Sequence, residues 1–204
     1  MKYIKKLPET DRERSAKLCS EGWKRLKEPS GMLSALLWSL SFLLLNAGIY
    51  LWMLYDMYLP FRDFLSAAQT DFSFSVSLPD LLFGFAALFL FVLFHEGLHA
   101  CLIPNVLKSD RVFWGLNGFG AFVYTALPIP RNRFLLITAL PFVALSFALP
   151  AALNAAGLLH GFTAFLCLVN AMGSCVDCLN FFLVFFQAPR NSTVLMNGME
   201  TYYL

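Results

Sequence analysis

Four apolar runs dominate the chain, at about residues 33–55, 80–103, 134–156 and 162–187. Each is long enough to cross a bilayer as a helix, at ~1.5 Å of rise per residue. The balance of residue types agrees: of 204 residues, 58% are hydrophobic, 22 are Phe and only 14% are charged. A soluble domain would carry more charge, so the composition indicates a multi-spanning membrane protein. The few ionisable side chains inside such runs then need a reason to be there, because a charge at membrane depth is costly.

The second run holds His95-Glu96-Gly97-Leu98-His99, an HExxH motif near its C-terminal end. On a helix His95 and His99 lie one turn apart on the same face, where two imidazoles can grip one Zn²⁺. Glu96 sits beside them and can act as general base on a zinc-activated water. Chance occurrence and a hydrogen-bonded core histidine pair are the bland alternatives. Two of the chain's three histidines fall in this one motif.

A catalytic zinc commonly has three protein ligands. The third candidate is Asp177, the only acidic residue inside the fourth run. A lone carboxylate there needs a partner, and a metal is the best one available. Asn170, Ser174 and Asp177 recur at i, i+4 and i+7, which is one face of a continuous helix. Asn170 or Ser174 could orient a ligand; small polar residues also serve simply to join membrane helices.

Depth supports four spans. If the second and fourth runs both pass from outside to inside, His95, His99 and Asp177 lie roughly 8–18 Å from the inner ends of their helices. Residues 112–130 follow the HExxH run. They are apolar, but they hold an Asn117-Gly118 turn signal, β-favouring residues, Pro128 and Pro130. They are expected to form a β-hairpin or re-entrant segment, not a fifth span. Charge placement agrees: Lys108, Arg111, Arg131, Arg133 and Arg190 then share the inner side with the basic N-terminal tail, and Arg62 alone lies outside. The expected fold is an all-α membrane protein, a bundle of about four helices with that hairpin or re-entrant insert. Pro141 and Pro150 should kink the third span.

Residues 1–31 are expected to form a cytoplasmic amphipathic arm lying on the bilayer. Nine of the 15 Lys and Arg lie at or before Lys27, alternating with Glu9, Asp11, Glu13, Glu21 and Glu28. That alternation is a solvated face with no nucleic-acid signature. Thr10 and Glu13 fit a capping box, and Cys19, Trp23 and Leu26 follow at helical spacing. Residues 56–79, with Asp56, Asp63 and Asp71, form the outer loop, and 191–204 a second cytoplasmic tail. Both termini are thus expected on the inner side of a bacterial cytoplasmic membrane. Cys175 and Cys178 form a CxxC in an apolar helix without a second pair, and are expected to be structural. His160 is expected at the interface.

Together these residues resemble the intramembrane zinc metalloproteases of the site-2 protease type. More closely, the chain is similar to a small family of predicted membrane zincin peptidases. The matching features are HExxH at His95–His99, the stretch from Ala126 through Pro141-Phe142, and Gly173–Asn180 with Asp177; they cover roughly residues 80–190. The resemblance implies a core over 32–190 with zinc on His95, His99 and Asp177, and Glu96 as catalyst. It implies a membrane-anchored polypeptide as substrate and a hairpin that aligns it as an added strand. The chain departs from the site-2 pattern around the aspartate, where Gly173 and Ser174 stand in place of the expected Pro region and Cys178 in place of a Gly. The rival reading is a non-catalytic membrane metal-binding protein, a zinc sensor or regulatory pseudoprotease, which would keep the ligands without needing Glu96 as a base.

Overall fold

The computed structural model describes residues 1–66, 77–117 and 120–204. In chain order the elements are β1 (Lys2–Tyr3), α1 (Arg12–Ser20), β2 (Lys24–Arg25), α2 (Met32–Met57), α3 (Leu59–Leu65), α4 (Leu78–Cys101), β3 (Val112–Asn117) and β4 (Gly120–Thr125). There follow β5 (Ile129–Pro130), α5 (Arg131–Val143), a π turn (Ala144–Ala148), α6 (Leu149–Ala155), α7 (Gly161–Gly173), α8 (Cys175–Gln187), β6 (Thr193–Asn197) and β7 (Glu200–Tyr203).

Three helical stretches are long and apolar enough to cross a membrane: Leu33–Met57, Leu78–Cys101 and Arg131–Ala155. The α7–α8 pair passes the same test jointly but bends by 42° at its break, so the described residues supply up to four spans. Leu44, Trp52, Phe83 and Leu90 are exposed on the outside of these helices, as lipid-facing side chains would be. The polar residues of α2 turn inward. Ser39, Asn46 and Tyr50 are all buried, at spacings that put them on one helix face. Tyr50 donates its hydroxyl proton to the Ala164 carbonyl at 2.8 Å, and Asn46 Nδ2 donates to the Ala171 carbonyl at 3.0 Å.

That last bond explains how an apolar run can break. Ending α7 at Gly173 orphans its last carbonyls, which lipid cannot satisfy. Asn46 takes the Ala171 carbonyl, while Ser174 donates both its backbone N–H and its hydroxyl to Asn170, each at 2.9 Å. The fourth run is therefore two helices and not one, and the single face expected for Asn170, Ser174 and Asp177 is broken at Ser174. The third run also departs from a simple kinked helix. Between Pro141 and Pro150 it relaxes into the π turn, which buries Ser146 completely.

The chain is mostly helical but not all-α: two small sheets accompany the helices. One has the order β1-β3-β4, with β1 parallel to β3 and β3 antiparallel to β4. Val112–Asn117 and Gly120–Thr125 thus pair as the two arms of a hairpin, as one of the two expectations had it; residues 118 and 119 between them lie outside the described residues. The other sheet is antiparallel in the order β2-β7-β6-β5. The outer loop expected at 56–79 is helical over α3; its Asp71 lies outside the described residues.

The arm differs most from expectation. The N-cap of α1 is Asp11, not Thr10: its carboxylate accepts from the N–H groups of Glu13 and Arg14 at 3.0 and 3.1 Å. The helix ends before Gly22, whose φ of +92° no continuing helix can hold. Trp23 and Leu26 therefore leave it, and Lys24–Arg25 pairs with β7. Leu18 and Trp23 pack on Leu195 and Tyr202, so the C-terminal hairpin covers the apolar side of α1. Leu26 enters a separate core with Ile103, Val112, Ile129 and Val184. Each such buried aliphatic contributes about 1.5–3 kcal/mol, enough to bind the arm to the helix ends.

The turn of the C-terminal hairpin sets how closely the arm can approach. Gly198 has φ +62°, and a Cβ added there would lie 2.5 Å from the Thr10 nitrogen and 2.6 Å from the Glu9 carbonyl carbon. Both contacts are backbone and cannot swing away. Gly198→Ala is expected to destabilise the protein by about 1–3 kcal/mol. Thermal unfolding of the full chain in detergent would register this as a lowered midpoint; an unchanged midpoint would contradict the close packing of arm on hairpin.

Candidate metal centre

His95 and His99 lie one turn apart on α4, and their Nε2 atoms approach to 3.2 Å. Asp177 comes from α8 and reaches both, with His95 Nε2 to Oδ2 at 3.3 Å and His99 Nε2 to Oδ1 at 3.4 Å. All three side chains are largely buried. The break at Ser174 is what makes the carboxylate tolerable, because it puts Asp177 in the first turn of a new helix. There the exposed N–H groups and the positive end of the helix dipole favour an anion.

These spacings suit a metal. With metal–ligand distances of about 2.0–2.2 Å, a tetrahedral ion has ligand–ligand edges of about 3.3–3.5 Å. The observed separations of 3.2–3.4 Å, with the two imidazoles meeting different oxygens of the Asp177 carboxylate, lie close to that edge length, and the three residues form a group able to hold a metal ion. Two imidazoles and a carboxylate are three donors, and a zinc ion held by them would have a position left for water or substrate.

Both imidazoles are oriented through their other nitrogen. His95 Nδ1 lies 2.8 Å from Asn170 Oδ1. The Asn170 amide is fixed in turn, since Nδ2 donates to the Pro141 carbonyl at 3.2 Å and to Ser146 Oγ at 2.9 Å. Its oxygen must therefore face the imidazole, so His95 donates from Nδ1 and keeps a lone pair on Nε2. His99 Nδ1 lies 2.7 Å from the Ile137 carbonyl. That carbonyl is free because the residue four further on is Pro141, which has no N–H to close the helical bond. A carbonyl only accepts, so His99 also donates from Nδ1 and keeps a lone pair on Nε2 with which it could hold a metal. Of the two orienting candidates, Asn170 touches a ligand; Ser174 instead caps the end of α7.

The helix α5 serves both ligand-bearing helices. Besides the Ile137 and Pro141 carbonyls, its first turn supplies two arginines. Arg133 Nε donates to the Leu102 carbonyl at the end of α4, at 2.6 Å. The buried Arg131 donates from Nη2 to the Phe185 carbonyl near the end of α8, at 2.7 Å, and lies over the Phe185 ring. Each cation meets the negative end of a helix dipole. These positioning contacts escaped the sequence reading. Only Pro141 carried a signal, as a proline inside an apolar helix that must free the carbonyl four residues before it.

The other candidates lie apart from the centre. Cys175 Sγ donates to Ser39 Oγ at 3.6 Å and Cys178 meets Asn46, so both join α8 to α2. His160 begins α7, where its backbone N–H donates to Thr163 Oγ1.

Glu96, His99 and Asp177 line one cavity of about 480 Å³. Strand β4 forms another wall. It is an edge strand among the described residues, where β3 is its one strand neighbour. From its register with β3, the backbone groups of Ala121, Val123 and Thr125 point away from β3. The Glu96 carboxylate meets the backbone N–H of Val123 on that edge.

Compared with known proteins, residues 88–193 match the model of a family described as "Putative zincin peptidase". The chain belongs to this family. The matched segment is more than half of the chain and contains His95, Glu96, His99, Asn170 and Asp177. No curated protein and no solved structure matches. Zinc is the metal that zincin membership implies, and the group His95, His99 and Asp177 offers it a fitting donor set. The zincin reading separates the two polar neighbours of the centre: Asn170→Ala should weaken zinc binding about 10–100-fold, the usual loss for a residue that orients a ligand, while Ser174→Ala should leave it nearly unchanged. Chelator competition on the folded protein measures both, and equal losses would contradict the assignment.

Proposed function

We propose that the chain is a zinc-dependent endopeptidase that cleaves membrane-anchored polypeptides at or just within the inner boundary of the bilayer, in a bacterial cytoplasmic membrane with both termini cytoplasmic. His95, His99 and Asp177 are its zinc ligands and Glu96 its general base. The observation that carries this reading is the shared cavity. It joins a carboxylate outside the candidate ligand set, two of the three candidate ligands and the edge of a sheet, whose Val123 N–H that carboxylate meets.

When bound, zinc supplies Lewis-acid chemistry, lowering the pKa of a water molecule and polarising a peptide carbonyl. The rest falls to the chain itself. Asn170 and the Ile137 carbonyl keep the two imidazoles in the ligating tautomer. Glu96, adjacent in sequence to His95, accepts the proton that the water gives up as its oxygen attacks the carbonyl carbon. As the C–N bond breaks, Glu96 passes that proton to the leaving amine nitrogen.

A substrate segment must be extended to be cut, because a helix hides its carbonyls in internal bonds. The outward backbone groups of Ala121 and Thr125 offer such a segment the pairing of an added strand. Val123, between them, keeps the paired segment against Glu96. A four-span topology, with α7 and α8 as a broken fourth, gives the cavity an opening to the inner side; the basic residues Lys108, Arg111, Arg131 and Arg133 in the segment that follows α4 support that orientation.

Glu96→Gln should retain zinc and the fold yet lose about 10²–10⁴ in hydrolysis rate, the usual contribution of a general acid–base group. Comparing membrane proteomes of cells carrying wild-type and variant protein should reveal uncleaved substrate with the variant. Full complementation of a deletion by Glu96→Gln would overturn the peptidase reading in favour of a metal-binding protein without catalysis.

A further inference from the structure

The cavity contains one charged group that hydrolysis does not use. The acidic residues and the histidine in its lining are Glu28, Glu96, His99 and Asp177, beside the neutral Tyr124 and Cys175; no Lys or Arg lines it among the described residues. Asp177 and His99 belong to the metal centre and Glu96 to the chemistry. Glu28 remains, and it is held firmly. The Leu26 N–H donates to the Thr201 carbonyl at 2.9 Å. Lys27 exchanges two backbone bonds with the Gln187 side chain, at 2.8 and 3.0 Å. Glu28 Oε1 then accepts from the Thr201 N–H at 2.6 Å. β7, the end of α8 and the core thus fix the position of its carboxylate.

No ion pair among the described residues reaches Glu28. Arg25 acts on it electrostatically, but Arg25 Nη1 is bound to Glu200 at 2.8 Å. Burial accordingly holds the Glu28 carboxyl above the ordinary glutamate value, as happens to a half-buried acid without a cation on it. Its place along the chain matters too. Glu28 lies just before α2 begins at Met32, at the mouth of the helix bundle.

We propose that Glu28 is a specificity-determining residue that receives a Lys or Arg side chain of the substrate polypeptide. This rests on the peptidase reading and deepens it. Membrane-anchored polypeptides carry an excess of Lys and Arg immediately cytoplasmic of their spans. A segment paired along β4 would bring such a flank into a cavity that is mostly apolar, with acidic groups and no Lys or Arg among its described lining. The cavity would correspondingly reject a segment with an acidic flank.

The test uses full-length, zinc-loaded protein in detergent, in a Glu96→Gln background that prevents turnover. The probes are fluorescein-labelled apolar peptides in which one lysine is moved along the sequence, each with a norleucine twin. Fluorescence anisotropy should find a position at which lysine binds about tenfold more tightly than norleucine, in line with one charge-assisted hydrogen bond. Adding Glu28→Gln should abolish that preference, since the amide oxygen can still accept from Thr201 while the charge is gone. Equal binding of every lysine–norleucine pair, or a preference that survives Glu28→Gln, would overturn the proposal. Binding is read without hydrolysis. A lysine preference with no cleavage of the same peptides by Glu96-intact protein would instead sink the peptidase reading and leave Glu28 as a recognition residue.

Discussion

The fold turns on the meeting of Asp177 with His95 and His99. Each side chain alone would be expensive inside an apolar helix bundle. Together, at 3.2–3.4 Å, they turn three acceptors toward one another and form a group able to hold one metal ion, which would satisfy all of them. Everything nearby serves that meeting. The break at Ser174 gives the carboxylate a helix N-terminus, and Asn46 makes the break affordable by taking a carbonyl that lipid would leave unpaired.

A second layer of dependence runs through α5. It carries no ligand, yet it contacts both ligand-bearing helices at both levels of the site. Its Ile137 and Pro141 carbonyls fix the imidazoles, one directly and one through Asn170. Its Arg131 and Arg133 bind the ends of α8 and α4. Proline is what allows this, because Pro141 leaves the Ile137 carbonyl unpaired. The π turn that follows brings the buried Ser146 hydroxyl onto the Asn170 amide. An apolar helix that looks like a plain span in the sequence is thus the frame that positions the centre.

The sequence disclosed the ingredients of the site better than its surroundings. HExxH on an apolar helix makes a histidine pair at i, i+4 legible, and the isolated Asp177 had few other uses. The hairpin at 112–125 was legible as one of two options from its Asn-Gly signal and β-branched residues. The break in the fourth run was not, since periodicity across Asn170, Ser174 and Asp177 fits a continuous helix; the residue that takes a carbonyl freed at the break, Asn46, is distant in sequence. The arm was misread for a similar reason. Its spacing through Trp23 and Leu26 is helical, but Gly22 and pairing with β7 outweigh that local preference, and the long-range sheet partners cannot be seen in the segment itself. The second sheet, made of short strands remote in sequence, left no local pattern at all.

X-ray absorption at the zinc edge of the purified full-length protein tests the central claim most directly. The account predicts a shell of nitrogen and oxygen neighbours at about 2.0–2.2 Å with imidazole scattering behind it, and loss of an oxygen neighbour in Asp177→Ala. Sulfur neighbours at about 2.3 Å would move the metal to Cys175 and Cys178. Such a result, or a shell unchanged by Asp177→Ala, would contradict it.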